Sequence, residues 1–404
     1  MDGGEAGQQV RRRRVIYIPG FDPIHPRRYR ELYRKEAAEQ AAVSGHVLAL
    51  KPRKGGGPYG WRVEAEVDGA PVVADVEVLV WSDIVRDSMA QGIAGTYLQL
   101  VRTAWAYIGS GALFRLMRLR AGPILAALYP VAMLLAQLLL AVALALAIAR
   151  GVGVVAPRWV GAVAGLGVVP LVLIWFRRQD HRLYAYYLMH DFAFTARDGG
   201  AYPPELEARM VAFRQAVAQA LTEDVDEVLV VGHSSGAHIA VSVLADLIRG
   251  GLPDDRPALA LLTLGHAIPM VSYLPRAHRL RADLAFLSAR PEIAWVDVTA
   301  PGDGCSFALC DPVSVSGVAP ADKIWPLVVS AAFSQTLSEA KQRALKRRYF
   351  RLHFQYLCAF DRPGDYDYFR ITAGPMTLAS RYAGRLPSRN RIELAANRFT
   401  SVAA

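Results

Sequence analysis

Cysteine is scarce: three in 404 residues, Cys305, Cys310 and Cys358. That excludes a disulfide framework and suits a reducing compartment, and no spacing among them resembles a zinc or haem site. A nucleotide phosphate loop is also missing, because Gly55-Gly56-Gly57 is not followed by Lys and Ser or Thr. Residues Met1–Arg14 are polar and end in four arginines, so no cleavable leader is expected there. No internal repeat or long low-complexity tract divides the chain, and its length suits one large domain or two medium ones.

Charge is missing over one long stretch. From Ala121 to Ala149 no residue is charged, and after Arg150 a second apolar stretch, Gly151–Phe176, is interrupted only by Arg158. Each is long enough to cross a bilayer core, which needs about 20 apolar residues. Gly161 and Gly165 have the spacing that lets two membrane helices approach closely. Arg115, Arg118 and Arg120 precede the first span, and Arg177, Arg178 and Arg182 follow the second. The positive-inside rule predicts an integral membrane protein with two spans and with both flanking segments and both termini on the cytoplasmic side. The flanking segments can then share one fold.

The net charge of +10 is assigned to anionic lipid of the inner leaflet rather than to nucleic acid. Basic residues cluster beside the spans and along Lys341–Arg348, and each attracts anionic headgroups by about 1 kcal/mol near the surface.

Outside the spans, periodicity alternates between strand and helix. Val15–Ile18 reads as a short strand, Tyr29–Ala42 as helical, and Trp61–Val67 and Val72–Trp81 as strands joined at the Asp68-Gly69 turn. Helical periodicity runs from Tyr97 through Leu119. Leu206, Met210, Phe213, Val217 and Leu221 form the apolar stripe of an amphipathic helix. Glu227–Val231, Leu259–Leu264 and Ile293–Val298 read as buried strands with helix-length segments between them, which predicts a mostly parallel, doubly wound α/β sheet.

The first of those strands leads into Gly232-His233-Ser234-Ser235-Gly236, and a helix follows from Ala237 to Ile248. Strand, sharp G-x-S-x-G turn and helix make a nucleophile elbow, with Ser234 lifted out at the sheet edge. A serine hydroxyl needs a base to take its proton and an acid to orient that base, and here these follow in the order Ser, Asp or Glu, His. Of nine histidines, four follow Ser234: His238, His266, His278 and His353. His238 is too close along the chain, and His266 leaves little room for an acid loop before it. His353 is therefore the expected base. Asp303, in the turn Ala300–Gly304 after a strand, is the expected acid, with Asp297 and Asp311 as alternatives. The backbone N–H groups of Phe21, after Pro19-Gly20, and of Ser235 are the expected oxyanion hole. Asp83, at another strand end, is given no role.

Pro19-Gly20-Phe21, the Gly232–Gly236 elbow, Asp303 and His353 together resemble the α/β-hydrolase superfamily of serine esterases and lipases. The resemblance covers roughly residues 15–110 and 180–375. It implies a central, mainly parallel sheet and acyl-enzyme hydrolysis with no metal or organic cofactor. The departure is the helical hairpin, placed between the early strands and the elbow. The expected organisation is a basic tail (1–14), the first part of the hydrolase domain (15–120), a transmembrane hairpin (121–176), the second part (177–386) and a loosely packed tail (387–404). The expected function is a membrane-anchored serine hydrolase cleaving an ester or thioester, most plausibly of an acyl lipid. The same triad would serve acyl transfer, and a non-catalytic membrane scaffold could keep the same fold.

Overall fold

A computed structural model describes residues 9–53 and 58–403. The glycine run at 55–57 and the first part of the basic tail lie outside them. Eight strands form one sheet: β1 (Arg12–Ile18), β2 (Val47–Pro52), β3 (Gly60–Val67), β4 (Ala70–Val78), β5 (Glu227–His233), β6 (Ala258–Leu264), β7 (Ala294–Thr299) and β8 (Leu327–Ser330). Their order is β2-β3-β4-β1-β5-β6-β7-β8. Only β3 runs against its neighbours, and every pairing from β4 onward is parallel. The expected mostly parallel sheet is present, with an antiparallel meander at one edge. Asp68 and Gly69 both take positive φ (52° and 76°) at the β3–β4 turn, the geometry a two-residue hairpin requires.

The principal helices are α1 (Arg27–Ser44), α2 (Ile93–Gly109), α3 (Ala121–Val155), α4 (Arg158–Arg178), α5 (Ala185–Ala196), α6 (Pro204–Ala220), α7 (Gly236–Arg249) and α8 (His278–Ser288). Helices cover both faces of the sheet. Phe213 of α6, Leu244 of α7 and Leu284 of α8 pack with Trp295 in one core. Tyr29 and Tyr33 of α1 pack with Val296, Tyr356 and Phe369 in the other.

Three expectations need correction. β1 begins at Arg12, inside the stretch read as a tail, because two of its arginines find buried acids across the sheet. Arg13 Nε donates to Glu227 Oε2 at 2.6 Å and its Nη1 to the Gly374 carbonyl at 2.7 Å, while Arg14 pairs with Glu77. The helix read from Tyr97 to Leu119 breaks at Ser110-Gly111, where Gly111 takes φ 72°. Residues 387–403 carry no long regular element, yet they are not frayed. Ser388 N donates to Val328 O at 2.9 Å, Ile392 N to Leu309 O at 2.7 Å and Asn397 Nδ2 to Ser272 O at 2.9 Å.

α3 and α4 are two helices long and apolar enough to cross a membrane. They pack against each other through the expected glycines. A Cβ at Gly161 would lie 2.4 Å from Ala149 O, and one at Gly165 would lie 2.4 Å from Ala145 O, so no larger residue fits without parting the pair. Leu139, Val163, Leu166 and Leu171 are exposed on the outside of the hairpin. The first turns of α3 belong instead to the α/β domain, with Ile124 and Pro130 buried. A Cβ at Gly122 would stand 3.2 Å from Gly304.

Candidate active site

β5 is buried along its whole length and leads directly into Ser234, which takes φ 57°. A non-glycine residue in the left-handed region stores strain of roughly 1–3 kcal/mol, held only where the surroundings over-determine it. Here three glycines do so. A Cβ at Gly236 would meet Ile18 O at 2.1 Å, one at Gly232 would meet Ala237 Cα at 2.8 Å, and one at Gly20 would meet Ser234 Cβ at 2.9 Å. The end of β1, the end of β5 and the start of α7 thus converge on one serine. Ser234 N donates to Leu264 O at 2.9 Å, which ties the turn to β6.

The loops after β7 and β8 supply the next pair. His353 Nδ1 lies 2.7 Å from Asp303 Oδ2, and since an ionised carboxylate only accepts, Nδ1 carries the proton and Nε2 is the basic nitrogen. Tyr356 OH donates to the same Asp303 oxygen at 3.0 Å, and Cys305 N donates to Oδ1 at 2.9 Å. Burial alone would raise the Asp303 carboxyl. The adjacent His353, with the Cys305 N–H and the Ser306 hydroxyl, outweighs it and holds the group below the ordinary carboxylate range. The His353 carbonyl accepts from His233 Nε2 at 3.0 Å, so the elbow's own histidine pins the segment that carries His353. Ser234, Ser235, Phe21 and His353 line one cavity of about 80 Å³.

Neither alternative acid reaches His353. Asp297 lies within β7 and accepts from Thr263 Oγ1 at 2.6 Å. Asp311 caps a short helix through Val313 N and Ser314 N, each at 3.0 Å, and pairs with Lys323 Nζ at 2.7 Å. His266 is turned to the Cys310 carbonyl at 3.1 Å, and His238 to Tyr202 OH at 3.1 Å. Asp83, left without a role, makes a two-pronged pair with Arg209 at 2.9 and 2.6 Å. The backbone N–H groups of Phe21 and Ser235 donate to no protein group among the described residues. Phe21 is held from behind, its carbonyl accepting from Tyr187 OH and its ring 6.0 Å from that of Trp81.

Two contributors escaped the sequence reading. Tyr356 steadies Asp303 from within an aromatic stretch whose residues look alike in sequence. Asp191, on α5, lines the same cavity. Burial pushes its carboxyl up to about 7, with the charge of His353 opposing the rise. Its signal in the sequence is a single acid within the otherwise uncharged run Ala185–Phe194, apart from neighbouring His190. A carboxyl with a raised folded-state pKa costs stability only when ionised. The cost is absent below the ordinary range, grows as pH rises and is complete above about 7. Asp191→Asn is therefore expected to stabilise the detergent-solubilised protein by as much as about 4 kcal/mol near pH 8, and by almost nothing near pH 4. Thermal unfolding at the two pH values checks this.

Asp303, Cys305 and His353 also place three donor atoms within 4.8 Å of one another. Burial pushes the Cys305 thiol far above its usual range, and both Asp303 oxygens already accept hydrogen bonds. The set is suited to holding a proton rather than an ion. A larger cleft of about 1660 Å³, lined by Phe333, Arg343, Arg385 and Arg389, lies across the Pro301-Gly302 turn and does not include Ser234. Pro123 and Ala126 of α3 line the Ser234 cavity together with Leu188 and Phe192 of α5, so the foot of the apolar hairpin forms part of its wall. Compared with models of protein families, with curated protein sequences and with solved structures, the chain has no significant match.

Proposed function

We propose that this chain is a membrane-anchored serine hydrolase of the α/β-hydrolase type, cleaving a carboxylic ester or thioester of an acyl lipid. One observation carries the reading: a strained serine, a histidine–aspartate pair at 2.7 Å and two unused backbone N–H groups border one small cavity. The order of parts supports it, since Ser234 follows β5, Asp303 follows β7 and His353 follows β8, all beyond the C-terminal ends of parallel strands. A meander at one sheet edge and β1 between β4 and β5 fit the same architecture.

In this mechanism Ser234 Oγ attacks the acyl carbon while His353 Nε2 takes its proton, and Asp303 holds the imidazole in the required tautomer. The N–H groups of Phe21 and Ser235 receive the oxyanion. His353 then returns the proton to the departing alcohol or thiol, and water resolves the acyl-enzyme by the same steps. Above about pH 7 an ionised Asp191 adds negative potential beside the imidazolium. The hairpin would fix the cavity at the cytoplasmic face of the bilayer, with both termini on that side. The basic surface suits anionic headgroups.

An active-site fluorophosphonate tests the reading directly. It is expected to label Ser234, as located by peptide mass spectrometry, and liposome-borne acyl esters are expected to compete. A folded protein that leaves the probe unreacted would instead be a scaffold with a hydrolase-like fold. Acyl transfer would appear as product formed on an added alcohol in preference to water.

A further inference from the structure

The hairpin does not account for all the apolar surface. On α2, Leu98, Val101, Trp105 and Ile108 are exposed, Trp105 at 78%. Their spacing of three, four and three puts them on one helical face. Opposite them, Thr96, Leu100, Thr103 and Tyr107 are buried against the domain. Past the break at Gly111, Phe114 and Met117 are exposed as well. A groove of about 960 Å³ beside α2 is lined by Leu98, Val101 and Trp105.

Within this stretch of chain charge is of one sign, while Asp87 and Glu205, from outside it, also line the groove. Between Asp87 and Asp180 the chain holds no acidic residue, and its charged residues there are all arginine, among them Arg102, Arg115, Arg118 and Arg120. An exposed apolar stripe on an amphipathic helix whose own single charge is Arg102 is the pattern of a helix lying at a lipid surface.

Contacts relate α2 to the hairpin. Gly161 opposes Ala149 and Gly165 opposes Ala145, and extending this antiparallel register puts Arg177 and Arg178 level with about residues 132–133 of α3. α2 begins at that level, because Tyr97 OH donates to Leu134 O at 2.9 Å and Arg177 Nη2 donates to Gln91 O at 2.9 Å. It then descends beside the first turns of α3, with Tyr107 packed in one cluster with Ile124. α3 thus continues without charge for roughly a dozen residues past the basic boundary. Those residues pack on the α/β domain, with Pro123, Ile124 and Pro130 buried, so they tie α2 and the domain close to that boundary.

We infer that the exposed face of α2, with Phe114 and Met117, is a third membrane contact that lies in the headgroup and upper acyl layer. The inference rests on the proposed reading that α3 and α4 span a bilayer. It extends that reading by bringing the Ser234 cavity, whose wall includes Pro123 and Ala126, down to the lipid instead of holding it on a stalk above.

Trp105 reports the contact. The full chain is reconstituted in vesicles of anionic and zwitterionic phospholipid brominated near the top of the acyl chains. Subtracting the emission of Trp105→Phe from that of the parent isolates Trp105, and Trp175→Phe does the same for Trp175 in α4. Both indoles are expected to lose about half their emission or more, as burial at the headgroup–acyl boundary requires. A quenched Trp175 beside an unquenched Trp105 overturns the inference and leaves the hairpin reading standing. If neither is quenched, the membrane reading falls and the inference with it. Labelling of Ser234 by a fluorophosphonate is independent of all three results.

Discussion

Ser234→Ala is expected to lower acyl-ester turnover by on the order of 10⁶-fold, the size of loss seen when the nucleophile of such a unit is removed. Expression, membrane association and melting temperature should barely change, because alanine keeps the Cβ and the strained φ of 57° belongs to the backbone. Asp303→Asn should cost about 10⁴-fold, through the wrong imidazole tautomer, with little change in KM. Combining the two should cost scarcely more than Ser234→Ala alone, since the groups act as one unit. Initial rates on a short soluble ester and on a liposome-borne one, with the three variants side by side, measure all of this. Turnover retained in Ser234→Ala would end the proposed mechanism, and an Asp303→Asn enzyme with normal kcat would remove Asp303 from it.

Gly236→Ala should be the most damaging change of a single methyl. Its Cβ would stand 2.1 Å from Ile18 O and 2.6 Å from Pro19 O, both backbone atoms that no side-chain rotation can move aside. Either β1 or α7 must shift, which costs about 3 kcal/mol or more in a packed core and displaces the Phe21 N–H from the elbow. Gly250→Ala is the control, because the nearest atoms to its Cβ would be at 3.4 Å and its φ of −74° suits alanine. Unfolding in mild detergent should show a large drop for the first and almost none for the second. Equal stability would mean that the contact between β1 and the elbow is looser than the geometry here.

Local chemistry made the elbow legible. Glu227–Val231 announces a buried strand, Gly232 and Gly236 announce close backbone passage, and the helix after them is apolar on several sides. Chain order left few candidates for an acid and a base, and the two it singled out, Asp303 and His353, lie side by side. What stayed hidden depends on partners far away in the chain. Arg13 reads as solvated until β5 brings Glu227 beside it, and no periodicity places β1 between β4 and β5. Tyr356 acts through Asp303, and Asp191 lines a cavity whose walls come from eight stretches of chain, so neither carries a spacing signature. The segment after Pro387 lacks periodicity because its order comes from hydrogen bonds to Val328, Leu309 and Ser272. The hydrolase activity and its substrate remain proposals carried by the site's geometry.

The interruption of the sheet by α3 and α4 sets a schedule for the newborn chain. The N-terminal part emerges from the ribosome first, so the two apolar helices are complete before β5, the Ser234 turn, Asp303 or His353 has been made. β1 must wait some two hundred residues for the neighbour that completes its pairing, with Arg13 lacking its acid throughout. If the hairpin spans a bilayer as proposed, the polypeptide is lodged in its target layer before the proposed Ser234 site can be completed.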